Sequence, residues 1–231
     1  MSGLSRSSDF LNYLASPKQP EDRDGSEPSQ LPSLNDLSKE LKISVASLRE
    51  QLEVAEALGL VEVRPRTGIR RLPYSFFPAA YQSLSFAIRL NRSYFDSYAE
   101  LRNQVEAAFW EPAVQLLTTP DHQDLQKLMD NAWNKLNGSP IQIPHEEHRQ
   151  LHLLIYARLN NPFVQGILEA YWEAYEAVGL NLFADYQYLQ EVWRYHQQMV
   201  DGIIAGDPAS GYQALCLHKD LLFQHPVYSN R

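Results

Sequence analysis

The chain has 231 residues, of which 44% are hydrophobic and 21% charged, and a net charge of −8, as in an ordinary globular protein of one large or two modest domains. Its single cysteine, Cys216, excludes an intramolecular disulfide framework and fits a reducing cytoplasm. No apolar run is long enough for a membrane span, and the beginning of the chain lacks the apolar stretch of a signal peptide, so we expect a cytoplasmic protein without membrane contact.

Residues 1–30 predict one short helix followed by a flexible loop. The apolar residues Phe10, Leu11, Tyr13 and Leu14 are close enough together for a single helix. The segment 16–30 is rich in proline, serine and charged residues, which favours a loop without regular structure.

Residues 31–58 have the spacing of two short helices joined by a tight turn. The first helix opens at Ser33 or Asn35, and its leucines at positions 34, 37 and 41 share one face. After a turn over residues 42–44, Ser44 caps a second helix that runs to residue 58, with Gly59 suited to its C-terminal cap. This pattern is typical of a helix-turn-helix, in which the second helix enters the major groove of DNA.

The next segment predicts a basic hairpin. Residues 60–63 alternate as in a strand, residues 64–68 form a turn, and Ile69 begins a return strand. Four arginines and no acidic residue lie between positions 64 and 71. Residues 1–75 carry 10 basic and 11 acidic residues, a balance of −1, whereas residues 76–231 carry 10 and 17, a balance of −7. The hairpin is thus a local basic surface suited to the DNA backbone.

Residues 31–72 resemble the winged-helix domain of the GntR family of transcription regulators. The matching positions are Leu31-Pro32-Ser33, Leu37, Ser44, Leu48-Arg49-Glu50, Leu52, Gly59-Leu60-Val61 and Gly68. The resemblance implies DNA contacts at Asn35, Ser44, Ser47, Arg49, Arg66, Thr67 and Gly68. Asn35 and Val45 stand where the family usually has arginine, and Arg66 replaces the first glycine of the wing, so the operator sequence does not carry over.

The rest of the chain predicts a linker and then a bundle of six or seven antiparallel helices. Pro73 and Pro78 mark the linker. The predicted helices span about 79–91, 94–118, 121–137, 144–159, 161–181, 186–205 and 207–224. We therefore divide the chain into residues 1–30, a winged helix at 31–72, a linker with a first helix at 73–93, and an effector-binding and dimerisation domain at 94–231. Tyr171, Trp172 and Tyr175 recur at helical spacing and are assigned to the core.

Four histidines have the distribution of a metal site. His148 and His152 lie four residues apart on one predicted helix, hence on one face, and His196 and His218 lie on two later helices. Neutral imidazoles on facing helices can converge on a divalent transition metal, although surface histidines or a buried hydrogen-bonded pair would give the same spacing. The other three histidines, His122, His145 and His225, are assigned to the surface.

Residues 94–224 resemble the all-helical effector domain of the FadR branch of the same family. The matching positions are Glu100-Leu101-Arg102, Glu106, His148, Leu151-His152, Ile155, Asn161-Pro162, Tyr195-His196, Met199, Gly202-Ile203, Gly206-Asp207, Ala214 and His218. The resemblance implies a metal held by one aspartate and three histidines, with His148 here in place of the aspartate. Four neutral nitrogens leave the metal charge uncompensated and suit Zn²⁺ or Ni²⁺ best. Arg102 either binds an effector carboxylate or forms an ion pair with Glu100 or Glu106.

The sequence thus predicts a homodimeric regulator that binds an inverted-repeat DNA operator and senses a small anionic metabolite, a carboxylate, beside its metal. One alternative is a metal-dependent hydrolase, but the chain has no H-E-x-x-H motif, and Glu146 and Glu147 are expected to point away from the histidine face. A second alternative is a winged-helix protein-interaction module that no longer binds DNA, which the loss of arginine at positions 35 and 45 favours.

Overall fold

The computed structural model describes residues 8–16, 29–178 and 186–224, the last six through their backbone alone. The chain divides into two compact units, Met1–Ala80 and Tyr81–Arg231. Within the described ranges, no helix combines the length and apolar character that crossing a membrane requires.

Ahead of position 77, the described residues of the first unit form three helices and a small sheet. Its elements are α1 (Asp9–Ala15), β1 (Ser29–Gln30), α2 (Leu34–Leu41), α3 (Val45–Ala57), β2 (Val61–Arg64) and β3 (Gly68–Arg71). Ser33 caps α2 by accepting a hydrogen bond from the N–H of Asp36, and Ser44 caps α3 by accepting one from the N–H of Ser47. Lys42 closes the turn between the two helices in the left-handed region, at φ 56°. The predicted winged helix-turn-helix fold is confirmed.

The sheet has three antiparallel strands in the order β1-β3-β2. The predicted hairpin is present, with Val63 opposite Ile69 and Arg64 opposite Gly68. The assignment of Ser29 and Gln30 to a loop was wrong, because they pair with Arg71 and Arg70 as the edge strand β1. Two residues are too few to show a strand pattern in sequence, and this strand is held by ladder bonds to β3 and by the Gln30 side chain, which donates to the carbonyl of Thr67 at 2.8 Å. The remainder of the predicted loop, 17–28, lies outside the described residues.

The predicted N-terminal helix is α1, and it packs on the second helix of the helix-turn-helix. Phe10 is fully buried, and its backbone N–H donates to the side-chain oxygen of Gln51 on α3 at 2.9 Å. The Ser8 hydroxyl donates to the same oxygen at 2.6 Å. The core of this unit consists of Phe10, Leu14, Leu37, Leu48, Leu52, Ala55, Val61 and Ile69. Burial of α1 therefore extends the small core beneath α3.

The second unit is a bundle of helices, as predicted. The helices from position 77 onward are α4 (Phe77–Leu90), α5 (Tyr94–Val114), α6 (Thr119–Leu136), α7 (His145–Tyr156), α8 (Pro162–Ala177), α9 (Tyr186–Ile204) and α10 (Pro208–Gln224). Pro78 lies in the first turn of α4 rather than in an extended linker, because a residue there has no intrahelical partner for its N–H. The predicted continuation of α5 to residue 118 was wrong, since Thr118 leaves the helical conformation to form a capping box with Asp121 at the start of α6.

Two glycines allow α9 and α10 to approach closely in this unit. A Cβ on Gly202 of α9 would lie 2.7 Å from the backbone nitrogen of Gly211 on α10. A Cβ on Gly211 would in turn lie 2.7 Å from the Trp110 ring on α5, whose indole N–H donates to the carbonyl of Pro208 at 2.8 Å. This contact fixes α9 against α10, the two helices that carry His196 and His218.

Candidate metal centre

The four histidines predicted to converge do so in the middle of the helical unit. His148 and His152 project from α7, His196 from α9 and His218 from α10, and each offers a ring nitrogen within 4.8 Å of the others. His152 and His196 are fully buried, and His218 is 7% exposed. The observed cluster therefore excludes the chance surface pair as an explanation of the spacing.

The distances between the rings fit coordination of a single ion. The Nε2 atoms of His152 and His196 lie 3.1 Å apart. Two nitrogens that each lie about 2.0–2.1 Å from one ion are about 3.0–3.4 Å apart, depending on the coordination geometry. The rings of His196 and His218 have centroids 4.3 Å apart, and those of His148 and His196 lie 4.6 Å apart. The four-histidine cluster can thus bind a metal ion.

Burial keeps these imidazoles uncharged. Desolvation is the largest cause that lowers the pKa of His148, His152, His196 and His218 well below the usual 6.5. The positive Arg102 lowers all four further, and the histidines also disfavour charge on one another. Each ring is therefore neutral at pH 7, which is the form with a free lone pair for a metal.

A buried carboxylate contacts one of the four rings. Glu106 on α5 is 1% exposed, and its Oε1 lies 3.0 Å from Nδ1 of His152. The same oxygen lies 2.9 Å from the guanidinium of Arg102. Burial raises the pKa of Glu106 to about 7, against the opposing effect of Arg102. Glu106 matches a family motif in the sequence. Its contact with His152 was not predicted, because 46 positions separate the two residues.

Unpaired polar atoms are concentrated at this centre. In the described part of the chain, every buried side-chain nitrogen or oxygen without a hydrogen bond belongs to one of six residues around the cluster or within it. These atoms are Arg102 Nε, Glu106 Oε2, His148 Nε2, Trp172 Nε1, His196 Nδ1 and His218 Nδ1, together with Arg102 Nη2, whose 2.9 Å contact with Glu106 is an ion pair. Buried polar atoms are nearly always paired in native proteins, and each unpaired one costs about 1–3 kcal/mol. The site therefore has the unmet bonding capacity expected of a binding site.

Arg102 lies in an aromatic setting beside the histidines. Its ion pair with Glu106 is the alternative that the sequence left open. The guanidinium carbon also lies 4.7 Å from the centroid of the Tyr171 ring and 5.4 Å from that of Trp172. A cavity of about 20 Å³, room for about one water molecule, is lined by Arg102, Asn103, His148, Tyr171, Trp172, Tyr175, Tyr188 and His218. Tyr171 and Trp172 are buried as predicted, and they also form a wall of the site.

The other histidines and acidic residues considered in the sequence lie outside the cluster where the structure describes them. His122 and His145 are half-buried rather than exposed, and His225 lies outside the described residues. The carboxylate of Glu147 pairs with Lys135 at 2.6 Å, and that of Glu146 accepts a hydrogen bond from Gln150. Both carboxylates are therefore engaged by neighbouring side chains.

The predicted DNA contacts all lie in the first unit. Asn35 is exposed on α2, and Arg49 is exposed on α3. Arg66, Thr67 and Gly68 are exposed where β2 turns into β3. The Ser44 hydroxyl is used as the cap of α3, and Ser47 is half-buried with its hydroxyl 3.4 Å from the Gln51 amide nitrogen. DNA binding by these seven residues stays a prediction.

Comparisons with known proteins agree with both halves of the fold. The FCD domain family matches residues 97–220. A solved GntR structure from Streptococcus agalactiae is 16% identical, with a TM-score of 0.66 over 94% of this chain and 96% of that one. Escherichia coli McbR/YncC is 19% identical, with a TM-score of 0.47 over 94% of this chain and 96% of that one. A GntR family member from Pseudomonas syringae is 16% identical, with a TM-score of 0.45 over 96% and 82%. No curated protein sequence matches at a significant level.

Proposed function

The chain belongs to the FCD domain family, and from this premise we propose that it is a GntR-family transcription regulator, not an enzyme, that senses a small carboxylate in a metal-dependent way. In this proposal the winged helix binds an inverted-repeat operator, and the helical unit binds the metal and the metabolite. The convergence of four neutral imidazoles beside Arg102 is the observation that carries it.

The metal-binding part rests on the donor set. Four neutral nitrogen ligands favour Zn²⁺ or Ni²⁺ over Mg²⁺, Ca²⁺ or Mn²⁺, which prefer oxygen. His148 supplies nitrogen where the family has an aspartate, so the ligands themselves remove none of the charge of the ion. A bound divalent ion would offer a Lewis-acidic position to an oxygen of the effector, and a negatively charged effector is favoured by the uncompensated charge.

The effector-binding part rests on Arg102. Its guanidinium lines the same cavity as His148 and His218. Its Nε atom makes no hydrogen bond, whereas its Nη2 atom lies 2.9 Å from Glu106 in an ion pair. An arginine with a free N–H donor in a buried aromatic site is suited to a carboxylate. The small cavity implies that the side chains move to admit even a small acid. Effector binding can shift the equilibrium between two conformations of the protein only if the effector binds one of them more tightly than the other.

The DNA-binding part rests on the exposed basic residues of the first unit. Arg49 on α3 and Arg66 on the wing are both solvent-exposed, and a helix-turn-helix presents its second helix to the major groove. Reading an inverted repeat requires two copies of the winged helix, hence a homodimer. We place this activity in the cytoplasm, as is typical of GntR regulators.

Selection of genomic DNA fragments with the purified metal-loaded protein tests the proposal. We expect enrichment of a short inverted repeat by the wild type and its loss with Arg49→Ala. Arg194→Ala is the matched control, because Arg194 is an exposed arginine on α9 of the other unit, and this variant should enrich the same sequence. Failure of the folded wild type to enrich any sequence would overturn DNA binding and favour the protein-interaction alternative.

Equilibrium dialysis against Zn²⁺ or Ni²⁺ tests the metal-binding part. We expect about one ion per chain for the wild type and none retained by His196→Ala at low micromolar metal. His122→Ala is the control, because His122 lies outside the cluster. Equal retention by the wild type and His196→Ala would contradict the four-histidine site.

A further inference from the structure

The four-histidine cluster lies against one buried carboxylate that is not among the candidate ligands. Glu106 comes from α5, whereas the histidines come from α7, α9 and α10. Its Oε1 lies 3.0 Å from Nδ1 of His152 and 2.9 Å from the guanidinium of Arg102. Both neighbours are fixed in place by burial, with His152 fully buried and Arg102 3% exposed. The contact is therefore a feature of the interior rather than a surface encounter.

This contact determines which nitrogen of His152 is free. An ionised carboxylate only accepts hydrogen bonds, so whenever Glu106 is ionised, Nδ1 of His152 carries the proton and donates it to Glu106. The Nε2 atom of the same ring is then unprotonated, and it lies 3.1 Å from Nε2 of His196 within the cluster. A metal-bound histidine typically donates its other ring N–H to a carboxylate in this way, which orients the ring and raises its basicity.

The position of Glu106 is itself held by the fold. The Tyr156 hydroxyl on α7 donates to the backbone carbonyl of Glu106 at 2.9 Å, four residues after His152 on the same helix. The link between α5 and α7 thus has two bonds, one through the side chain of Glu106 and one through its backbone. The carboxylate is held close to its favourable position before any metal arrives.

Glu106 also supplies charge that the ligand set lacks. Four neutral imidazoles around a divalent ion leave two positive charges, and Arg102 adds a third in the same buried region. Charges buried without a partner cost several kcal/mol each. An acidic residue among the ligands would lower that charge, but His148 holds this position in the chain. Glu106 is the buried acid that contacts both the cluster and Arg102.

We propose that Glu106 is the positioning residue of the metal centre, which holds His152 as the Nδ1–H tautomer and compensates the charge of the ion from outside its ligands. This inference rests on the proposed metal site and deepens it. Glu106 does not coordinate the ion itself. Replacing Glu106 should therefore weaken metal binding even though all four histidine ligands remain.

Competition for Zn²⁺ with a chromophoric chelator, on the full-length protein, measures this role. Glu106→Gln keeps the size and an acceptor oxygen but removes the charge, and we expect its Zn²⁺ affinity to fall about 10–100-fold. The matched control is Glu147→Gln, because Glu147 is a buried carboxylate on α7 that pairs with Lys135 and not with the cluster. It should bind Zn²⁺ within about threefold of the wild type.

The tautomer of His152 provides a second readout that needs no altered protein. Long-range ¹H–¹⁵N correlation spectra of the metal-free wild type, recorded well above the pKa of about 7 of Glu106, should show His152 protonated at Nδ1 and not at Nε2. A merely space-filling role would not impose this state. Protonation at Nε2 alone would overturn the inference, as would unchanged Zn²⁺ affinity in Glu106→Gln. If the wild type binds no Zn²⁺ at all, the proposed metal site fails first, so the two failures are distinguishable.

Discussion

The Nε2 atoms of His152 and His196 lie 3.1 Å apart, although 44 positions separate the two residues in the chain. Helices α7 and α9 bring them together in the interior, where both rings are fully buried. Two imidazole nitrogens at this distance can share one proton or bind one metal ion. The same contact therefore links the stability of the helical unit to both pH and metal.

Acid should destabilise the metal-free protein strongly below about pH 6.5. The folded state lowers the pKa of all four clustered histidines, so below the unfolded value the unfolded chain binds more protons and stability is lost as pH falls. Glu106 acts in the opposite direction, because its pKa is raised to about 7 and the folded state takes up its proton first. Below about pH 6.5 the unfolded state therefore binds about three more protons than the folded state. The free energy of unfolding should then fall by about 4 kcal/mol for each pH unit of acidification.

Urea unfolding of the metal-free protein at several pH values between about 7.5 and 5.5 measures this slope. His148→Gln should reduce it by about one proton, or about 1.4 kcal/mol per pH unit. A free energy of unfolding that stays constant over this range would show that the histidines are not held neutral in the folded state.

Metal should stabilise the protein through the same four side chains. An ion at about 100 times its dissociation constant adds about 2.7 kcal/mol to the free energy of unfolding when it binds only the folded state. Thermal melts with and without Zn²⁺ should show this increase for the wild type, and a chelator should reverse it. The increase should vanish in His218→Ala and persist in His145→Ala, since His145 is not part of the cluster. An equal increase in both variants would place the metal elsewhere.

Replacing Gly202 by alanine should loosen the metal centre from a distance. The added Cβ would meet the backbone nitrogen of Gly211 at 2.7 Å and its Cα at 3.0 Å, so α9 and α10 must separate. Overpacking of this kind costs about 1–3 kcal/mol. Because these helices carry His196 and His218, Zn²⁺ affinity should fall with stability. The control is Ser210→Ala, an exposed change next to Gly211, which should alter the free energy of unfolding by less than about 0.5 kcal/mol. An equally small effect of Gly202→Ala would contradict the close contact between Gly202 and Gly211.

Arg66 on the wing should show opposite effects on stability and on DNA binding. It adopts φ 71°, a conformation that costs a residue with a side chain about 1–2 kcal/mol and costs glycine little. Arg66→Gly should therefore raise the free energy of unfolding by about 1 kcal/mol. The same variant loses one cationic contact, so the slope of log affinity against log salt should fall by about one.

Arg66→Lys is the control for these two effects, because it keeps both the charge and the strained backbone. Its stability and its salt slope should equal those of the wild type. A wild-type salt slope in Arg66→Gly would show that the wing does not contact the DNA backbone.

The sequence predicted those parts of the molecule that depend on local spacing. Ser33 and Ser44 begin α2 and α3 as expected, because a cap is set by residues within one helical turn. His148 and His152 share a face because they are four residues apart on a helix. His196 and His218 were placed beside them through the family resemblance, since their spacing along the chain does not define a common face.

The sequence could not predict contacts between residues that are distant in the chain. Nor could it predict a strand that forms only because a neighbouring strand pairs with it. The bond between Glu106 and His152 depends on how α5 packs on α7, and no local pattern encodes it. Strand β1 consists of two residues that pair only because β3 offers an edge. The partner of Arg102 was left open, because helical spacing allows Glu106 but does not reveal the burial that makes this pair stable.

The affinity of the metal-loaded protein for its selected operator, measured with and without a panel of small mono-, di- and tricarboxylates, tests the central claim most directly. Coupling between two sites commonly amounts to about 1–3 kcal/mol, so we expect at least one acid to change operator affinity by about 5–150-fold. That change should disappear in His196→Ala, which should still bind the operator. Operator affinity that no carboxylate alters, or that an acid alters equally in His196→Ala, would contradict the account of a metal-dependent carboxylate sensor.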